Sequence, residues 1–374
     1  MAADSPERPR VLYVSQLTPA LTGSGAAMRA AAILAALAVH YRVTLLLTPR
    51  VGESAQPIAP ELAAHLERIV WPRGGAPLSS EERFDIVHIA RLDAAPSAAP
   101  WLATAGLRQL DLGSLTSRRA RRLARLARTL GHLDEADRWL EVEAQARQAE
   151  DAALASFTRV FVARPGDQQP LQERAPVPTG VVVLPGTLPV PDETLFPPPE
   201  RGDYTLLFVG DLGAEENADA VLHFCSSVLP RIQAGAHRPV RLRIVGEGAG
   251  PPLQRLAAQA GVELVGPVPD LEPWYRDAHI VIAPLRAGAG PYVKSLEALA
   301  MGRPLVTTTI GAEGLDLEHG VHAMLADDPA PFATFTLRLL HSPALARQMA
   351  EAGHRRFLEQ HTHPVLERIL APPD

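Results

Sequence analysis

The residues best suited to chemistry lie in one stretch of the second half, APLRAGAGPYVKSLEALAMGRPLV, residues 283–306. Gly288 and Gly290 let the backbone approach a ligand closely, because glycine has no side chain to intervene. A helix predicted directly after them aims free amides and its positive dipole end at that ligand, which favours an anion. Lys294 would add a point charge to a phosphate, and Glu297 can accept hydrogen bonds from the two hydroxyls of a ribose. The simpler alternative is an ordinary helix start with Lys294 and Glu297 in solvent.

Lys294 is the single lysine among 36 basic residues, since the other 35 are arginines. In a chain so rich in arginine, a lysine is expected to remain where a compact ammonium serves better than a planar guanidinium. The alternative is that one lysine is present by chance.

A second glycine turn, TGSGAAMRA at residues 22–30, follows the first predicted strand. Its spacing departs from G-x-G-x-x-G, because Gly23 and Gly25 are followed by Met28 where the third glycine belongs. We interpret it either as a loop that approaches a substrate across an interdomain cleft or as a plain tight turn. Arg29, one turn into the next helix, is a candidate phosphate contact.

Metal binding and nucleophilic catalysis have no support in the sequence. The histidines are scattered, with His361 and His363 as a close pair, and no H-E-x-x-H motif occurs. A G-x-S-x-G nucleophile elbow is also absent. The single cysteine, Cys225, forbids an intramolecular disulfide, fits a reducing compartment and is interpreted as a buried helical residue. We therefore expect no metal and no cofactor.

A basic helix is predicted in GSLTSRRARRLARLARTLG, where six arginines lie between Arg118 and Arg128. Leu123, Leu126 and Leu130 recur along it at helical spacing. Two interpretations stand: a solvated helix face, or a surface that docks on an anionic membrane or a lipid-linked acceptor.

Strands alternate with helices in both halves of the chain. The first half contains the strand patterns RVLYVSQL, YRVTLLL, FDIVHIA, RQLDL, RVFVA and GVVVLPG, with helical patterns over residues 26–39 and 117–155. The second half contains YTLLFVG, VRLRIVG, VELVG, HIVIAPL and RPLVTTT, again separated by helical stretches. This alternation predicts an α/β protein whose parallel sheets are covered by helices.

A proline-rich segment divides the chain. Residues 185–204 contain six prolines, which predicts an extended connector because proline fixes φ and lacks an amide donor. A length of 374 residues also fits two domains. We predict a first domain over residues 1–185, a linker over 186–203 and a second domain over 204–361.

The charge balance argues against nucleic acid as a partner. Residues 1–185 carry 21 arginines and 19 acidic residues, whereas residues 186–374 carry 15 basic and 23 acidic residues, so neither half is strongly basic. The longest apolar runs fall short of the roughly 20 residues that a membrane-spanning helix needs. With no signal-peptide pattern, we expect a cytoplasmic protein, with peripheral contact at the inner face of the membrane as an option.

Several segments of the second half form one continuous pattern: FVGDLGAEENADAVLHF, IVGEGAG, GVELVGPVPDLEPWYRDAHIVIAPLRAGAGPYVKSLEALAMGRPLVTTTIGAEGL and DDPAPFATFTLRLLHSPALARQMAEAGHRRFLEQH. Together, over residues 204–361, they resemble the donor domain of retaining family 4 glycosyltransferases. The first half is similar more loosely, through LYVSQLTPALTGSGAAMRAAAILAALA and FDIVHIARLDAAP. The resemblance implies the GT-B fold: two Rossmann-like, doubly wound parallel-sheet domains facing each other across a cleft, with a last helix over 362–374 returning to the first domain.

The resemblance implies an enzyme that moves a sugar from a UDP- or GDP-linked donor to an unidentified acceptor, with retention and without a metal. Glu297 matches the second glutamate of the family's E-x7-E motif and would hold the donor ribose, while Arg286 and Lys294 would neutralise the diphosphate. Catalysis would come chiefly from electrostatic stabilisation of the departing diphosphate. The implied donor-binding residues are Gly23, Ser24, Gly25, Gly210, Val268, Gly288, Ala289, Gly290, Pro291, Tyr292, Lys294 and Glu297; the implied catalytic residues are Arg286, Lys294 and Asp111.

The sequence departs from the family pattern at several positions. Ala289 replaces the first glutamate of E-x7-E, and DLGAEEN, around Asp211 and Asn217, replaces the arginine and lysine expected after the first strand of the second domain. The histidine expected in the first domain has no clear match, and Asp111 or His88 is our substitute. These departures keep two alternatives open: a degenerate GT-B module that binds a nucleotide or a partner, and a nucleotide-sugar epimerase or hydrolase.

Overall fold

The computed structural model describes residues 8–49, 57–71, 77–176, 179–194, 202–290 and 292–372. The chain forms two compact units. The first comprises residues 1–117, 144–187 and 363–374, and the second comprises residues 118–143 and 188–362. Residues 118–143, which the sequence interpretation placed in the first domain, therefore belong with the second unit.

The first unit is built on a seven-stranded parallel sheet with the strand order β3-β2-β1-β4-β5-β6-β7. Its strands are β1 (Arg10–Ser15), β2 (Arg42–Leu47), β3 (Arg68–Val70), β4 (Ile86–Ile89), β5 (Leu107–Gly113), β6 (Arg159–Val162) and β7 (Gly180–Val183). The strands are nearly continuous apolar runs because a parallel sheet is buried on both faces. Along β1, Val11 and Tyr13 pack in one apolar cluster and Leu12 and Val14 in another, which places the clusters on opposite faces of the sheet.

The second unit is built on a six-stranded parallel sheet with the order β10-β9-β8-β11-β12-β13. Its strands are β8 (Tyr204–Val209), β9 (Val240–Val245), β10 (Val262–Gly266), β11 (Ile280–Ala283), β12 (Leu305–Thr307) and β13 (Met324–Leu325). The two sheets share one order of connections, in which the strand order reverses beside the first strand. This is the doubly wound arrangement of Rossmann-like domains, so the predicted fold class is confirmed.

The helices follow the predicted pattern closely. Their bounds are α1 (Gly25–His40), α2 (Pro60–Ala63), α3 (Ala99–Leu102), α4 (Thr116–Thr129), α5 (Leu133–Ser156), α6 (Pro165–Gln172), α7 (Glu215–His223), α8 (Leu229–Gly235), α9 (Pro251–Leu256), α10 (Glu272–Asp277), α11 (Val293–Ala300), α12 (Pro329–His341), α13 (Pro343–Gln360) and α14 (His363–Leu370). A π-helical turn, Phe224–Val228, joins α7 to α8 and buries Cys225, and burial raises the pKa of that thiol to about 12.

The last helix, α14, belongs to the first unit. Leu366 and Leu370 join the apolar cluster that contains α1, and the Tyr41 hydroxyl donates a hydrogen bond to the Leu370 carbonyl at 3.0 Å. Within the described parts of the chain, no helix combines the length and the apolar character needed to cross a membrane.

Candidate functional site

The candidate site lies at the carboxyl ends of β8 and β11 in the second unit. These two strands pair in parallel, and the connections leave them towards opposite edges of the sheet. Ligands of doubly wound sheets bind in the crevice that forms at such a switch point. Gly210 follows β8, and the glycine-containing segment 284–292 follows β11, so the fold brings these two turns together.

Lys294 joins the two turns. Its Nζ donates a hydrogen bond of 2.8 Å to Oδ1 of Asn217, which lies in the first turns of α7. The side chain is buried, and the ammonium lies 5.1 Å from the centre of the Phe208 ring. Burial lowers the pKa of Lys294 to about 8, although nearby carboxylates, Glu297 foremost, act against the shift. At neutral pH the group therefore remains mainly a buried cation whose hydrogen-bonding partner is a neutral amide.

A glycine in the turn after β8 gives this lysine room. A Cβ atom added to Gly210 would lie 3.1 Å from both Cε and Nζ of Lys294. On the other side, a Cβ atom at Gly246, where φ is +147°, would lie 1.8 Å from the Gly210 carbonyl oxygen. The ends of β8 and β9 therefore meet backbone to backbone, which no larger residue at Gly246 would allow.

Glu297 lies one turn beyond Lys294 on α11. Its Oε2 accepts a hydrogen bond of 2.7 Å from the hydroxyl of Tyr275, a buried residue on α10. Burial raises the pKa of Glu297 to about 6, opposed by the Tyr275 hydrogen bond and the charge of Lys294. Arg303 holds α10 in place, because its Nη1 donates to the carbonyls of Arg276 and Ala278 at the end of that helix. The Glu297 carboxylate thus keeps a fixed orientation in which Tyr275 bonds to Oε2 and not to Oε1.

The glycine loop is covered by Tyr292. The tyrosine hydroxyl donates to the Ala287 carbonyl at 3.0 Å. A Cβ atom at Gly288, where φ is +107°, would lie 2.0 Å from that hydroxyl oxygen, and one at Gly290 would lie 2.7 Å from the ring. In this structure the two glycines therefore accommodate an aromatic ring of the same loop, which is a different use from the ligand approach that the sequence suggested.

Arg286 is already paired. Its Nε donates to Oδ2 of Asp219 at 2.9 Å, and its Nη2 forms an ion pair with the other carboxylate oxygen. Asp219 lies on α7, so this bidentate pair is a second link between the two turns of the switch point. An anionic ligand of Arg286 would have to compete with Asp219.

Two arginines of the basic helix reach the same site. Within the second unit, Arg122 forms a bidentate ion pair with Glu313 and also donates to the Gly288 carbonyl at 2.9 Å. Arg119 forms a bidentate pair with Glu216 on α7, with distances of 3.0 and 2.7 Å. These contacts explain why residues 118–143 group with the second unit.

The predicted residues of the first unit have structural partners of their own. Ser24 caps α1, since its hydroxyl accepts a hydrogen bond from the Ala27 amide, and Gly23 has a φ of +100° at the turn before it. Arg29 binds both oxygens of buried Asp111 at 2.7 Å and also donates to the Leu184 and Pro185 carbonyls. This pairing argues against Arg29 as a phosphate ligand and against Asp111 as a catalytic residue, because each already satisfies the other.

His88 lies on β4 in the centre of the first sheet. It is fully buried, stacks on Tyr13 with ring centres 5.1 Å apart, and its Nδ1 lies 3.0 Å from Oε1 of Gln109. Burial lowers the pKa of His88, so the ring is held neutral. A neutral histidine enclosed by the core is a poor substitute for a catalytic histidine that must meet substrate.

The remaining predicted positions are less informative. Val268 lies partly buried in the connection after β10, Ala289 is buried in the glycine loop, and Pro291 lies outside the described residues. In the described ranges, no group of three or more histidine, cysteine, aspartate or glutamate side chains is arranged to hold a metal ion.

Several residues of the site were missed by the sequence interpretation. Asn217 was noted only as part of the DLGAEEN segment that replaces an expected arginine and lysine, and the partners of Glu297, Arg286 and Arg122 were not anticipated. Asn217 carried no local signal, because its partner Lys294 lies 77 residues further along the chain. The others carried no local signal; they are Asp219, Tyr275, Arg303 and Glu313.

Comparison with known proteins finds similarity over the part of the chain that holds this site. Residues 203–342 match the family model of Glycosyl transferases group 1. The chain is 30% identical over 157 residues to the D-inositol 3-phosphate glycosyltransferase of Thermobispora bispora, covering 37% of this chain and 35% of that protein. The protein of the same name from Thermomonospora curvata is 26% identical over 184 residues, covering 46% and 42%. The chain thus spans well under half of the length of these curated relatives.

Solved structures extend the similarity to the whole chain at the level of fold. Sucrose-phosphate synthase from Thermosynechococcus elongatus superposes with a TM-score of 0.71 at 15% identity, covering 97% of both chains. HepE of Anabaena in complex with UDP-glucose superposes with a TM-score of 0.67 at 14% identity, covering 97% of this chain and 98% of that one. The comparisons agree with the resemblance seen in the sequence: the chain has the GT-B fold of these structures, and its residues 203–342 match the Glycosyl transferases group 1 model.

Proposed function

We propose that the protein is a glycosyltransferase that moves a sugar from a UDP- or GDP-linked donor to an acceptor, with retention of anomeric configuration and without a metal ion. The observation that carries the proposal is the arrangement of Lys294 and Glu297 at the switch point between β8 and β11, inside a group 1 domain. The acceptor class stays open among polysaccharides, lipid-linked molecules and natural products.

Lys294 is the cation proposed to bind the donor diphosphate. Its ammonium is buried at the ends of two strands, where a nearby anion interacts more strongly than it would in water. An anion there would also offset the burial that lowers the pKa of Lys294 to about 8.

Glu297 is the carboxylate proposed to hold the donor ribose. Tyr275 occupies Oε2, which leaves Oε1 to accept from a hydroxyl. A carboxylate beside a diphosphate is unfavourable for phosphate but suits the diol of a nucleotide, because two hydroxyl donors can share its oxygens.

The names of the relatives agree with this assignment. HepE was crystallised with UDP-glucose, and the curated relatives are D-inositol 3-phosphate glycosyltransferases. Both facts support a nucleotide-sugar donor for this chain, and the first favours UDP over GDP.

The proposed chemistry is electrostatic. Departure of a nucleoside diphosphate leaves negative charge near Lys294, and a fixed cation stabilises that charge without reorganisation during the reaction. Arg286 would contribute once the donor diphosphate displaces Asp219 from its guanidinium. No metal ion is needed in this reaction, because Lys294 and Arg286 would supply the positive charge that a divalent ion could otherwise provide.

One competing function is supported by a specific observation. Ala289 lacks the carboxylate of the family motif, and Arg286 is engaged by Asp219, which together fit a module that binds a nucleotide without turnover. A nucleotide-sugar epimerase or hydrolase would use the same pocket but would release rearranged or free sugar.

The first test is thermal unfolding of the purified protein with UDP, GDP, dTDP and ADP. A ligand present at about 100 times its dissociation constant adds roughly 2.7 kcal/mol to the free energy of unfolding. We expect stabilisation by UDP or GDP that is lost in Glu297→Ala. Absence of stabilisation by every nucleotide would refute the donor site.

The second test is product analysis with the sugar conjugates of the selected nucleotide. Transfer to an added acceptor with retained configuration, read by NMR of the anomeric proton, is the expected outcome. Release of free or epimerised sugar would favour the hydrolase or epimerase, and binding without donor loss would favour the inactive module.

Peripheral membrane contact through Arg118–Arg128 is a further part of the proposal. Arg121 forms an ion pair with Glu143 and Arg119 one with Glu216, so part of this charge is neutralised within the chain. The charge left for a membrane lies around exposed Arg125, near the exposed apolar side chain of Leu130. Sedimentation with anionic liposomes at low but not high salt is the expected result; no sedimentation at low salt would remove the idea.

A further inference from the structure

The contacts of Arg122 with the glycine loop go beyond an ordinary surface ion pair. Both terminal nitrogens lie 2.6 Å from the carboxylate oxygens of Glu313, and Nη1 also lies 2.9 Å from the Gly288 carbonyl oxygen. About four fifths of the Arg122 side chain is buried, since its exposure is 21%. A bidentate pair with low exposure holds a guanidinium in one orientation, so the Gly288 carbonyl meets a fixed donor.

Residues 118–143, which include Arg122, also contact α7 on the other side of the switch point. Arg119 binds both oxygens of Glu216, and Trp139 donates from its ring nitrogen to Glu215 at 3.1 Å. Glu215 and Glu216 form the first turn of α7. Residues 118–143 therefore contact both of the turns that flank the candidate site.

The contact of Arg122 with the Gly288 carbonyl also sets the direction of the Ala289 amide, because both groups belong to one peptide unit. The peptide unit is planar and trans, so its carbonyl and amide point in opposite directions. With the Gly288 carbonyl directed at Arg122, the Ala289 amide is directed to the opposite side of the loop. Alanine has no polar side chain, so the backbone amide of Ala289 is the hydrogen-bond donor that this position can offer.

We propose that Arg122 is a positioning residue for the donor diphosphate, an inference that rests on the proposed function. It fixes the Gly288–Ala289 peptide so that the Ala289 amide donates to a phosphate oxygen. Glu313 neutralises Arg122, so the arginine acts through the orientation of the loop and not as a phosphate ligand. Because Arg122 lies outside residues 203–342, the donor site includes a residue that the family match does not cover.

The experiment compares the affinities of UDP and of uridine for the full-length protein by calorimetry, with GDP and guanosine if thermal unfolding selects guanine. The variants are Arg122→Gln, Arg122→Lys and Glu313→Gln, with Arg125→Gln as a matched control on an exposed position of the same helix. Unfolding midpoints are recorded for each variant.

Loss of a hydrogen bond to a charged group is expected to weaken UDP binding about tenfold or more in Arg122→Gln. Uridine affinity should stay within about twofold, because the nucleoside lacks phosphates and the loss would be specific to them. Arg122→Lys should recover part of the affinity, Glu313→Gln should weaken UDP binding to a smaller extent, and Arg125→Gln should match the wild type.

Three outcomes overturn the inference. Unchanged UDP affinity in Arg122→Gln and Glu313→Gln does so while leaving the proposed function intact, as does an equal loss for UDP and uridine, which would reveal a general structural role. A wild-type protein that binds neither UDP nor GDP would refute the proposed function and this inference together. If Arg122→Gln fails to fold, the comparison of UDP with uridine is made on Arg122→Lys and Glu313→Gln.

Discussion

Nζ of Lys294 on α11 lies 2.8 Å from Oδ1 of Asn217 in the first turn of α7. A cation from α11 is thus held beside the turn that follows β8, the first strand of the second unit.

This relationship predicts a rescue. Lys294→Met should abolish most nucleoside diphosphate binding, because the cation that Asn217 holds is removed, while stability is kept or raised by removing a buried charge. Adding Asn217→Lys to that variant should restore part of the affinity. Calorimetric titration with UDP or GDP measures both effects, and a double variant no better than Lys294→Met would contradict the idea that positive charge at this place binds the diphosphate.

The pKa values predict a pH window for nucleotide binding. Glu297 must be ionised to accept ribose hydroxyls, and its pKa is raised to about 6, so uridine affinity should rise as pH increases through that value. Uridine carries no phosphate, so its own protonation does not contribute over this range. In Glu297→Gln the rise should disappear, and a rise that persists would assign it to another group.

The same raised pKa has the opposite effect on folding. A carboxyl with a higher pKa in the folded state binds protons more tightly there, so its contribution to stability is greatest at low pH and is lost as pH rises from the unfolded value through about 6. Comparison of urea unfolding of the wild type and Glu297→Gln at pH 5 and pH 7 should show the variant gaining relative stability at the higher pH. An equal difference at both values would speak against the raised pKa.

The Tyr292 ring predicts a conditional effect of substitution at Gly290. Gly290→Ala should destabilise the protein by about 1 to 3 kcal/mol, because its Cβ would lie 2.7 Å from the ring. In a Tyr292→Ala background the same change should cost much less. Denaturant unfolding of the two single variants and the double variant gives the coupling, and additive effects would show that the ring is not the cause.

Substitution of Asp111 should distinguish a structural role of this carboxylate from a catalytic one. Asp111→Asn leaves the partly buried Arg29 without its carboxylate, which should destabilise the first unit by about 3 kcal/mol. Urea unfolding followed by a probe in the first unit measures the loss. A variant with native stability and no transfer activity would restore the catalytic role that the sequence suggested.

Local sequence pattern determines much of the fold of this protein. The segments that form β8, β9 and β11 are rich in apolar residues because both faces of a parallel sheet are buried. Such a run can be recognised from consecutive residues alone. Lys294 and Glu297 were identified for a similar reason: one lies a turn from the other on a helix that follows a glycine loop, so their relation needs no distant part of the chain.

Only the tertiary structure decided which charges are available at the site. Arg286 meets Asp219, Arg29 meets Asp111 and Arg122 meets Glu313, at sequence separations of 67, 82 and 191 residues. Ion pairs of this kind form when elements that are far apart in the chain pack together. The residues next to either partner in the sequence do not indicate which residue it will pair with. The sequence therefore indicated where the candidate site lies, and the fold determined which of its cations already have a carboxylate and that Lys294 has an amide instead.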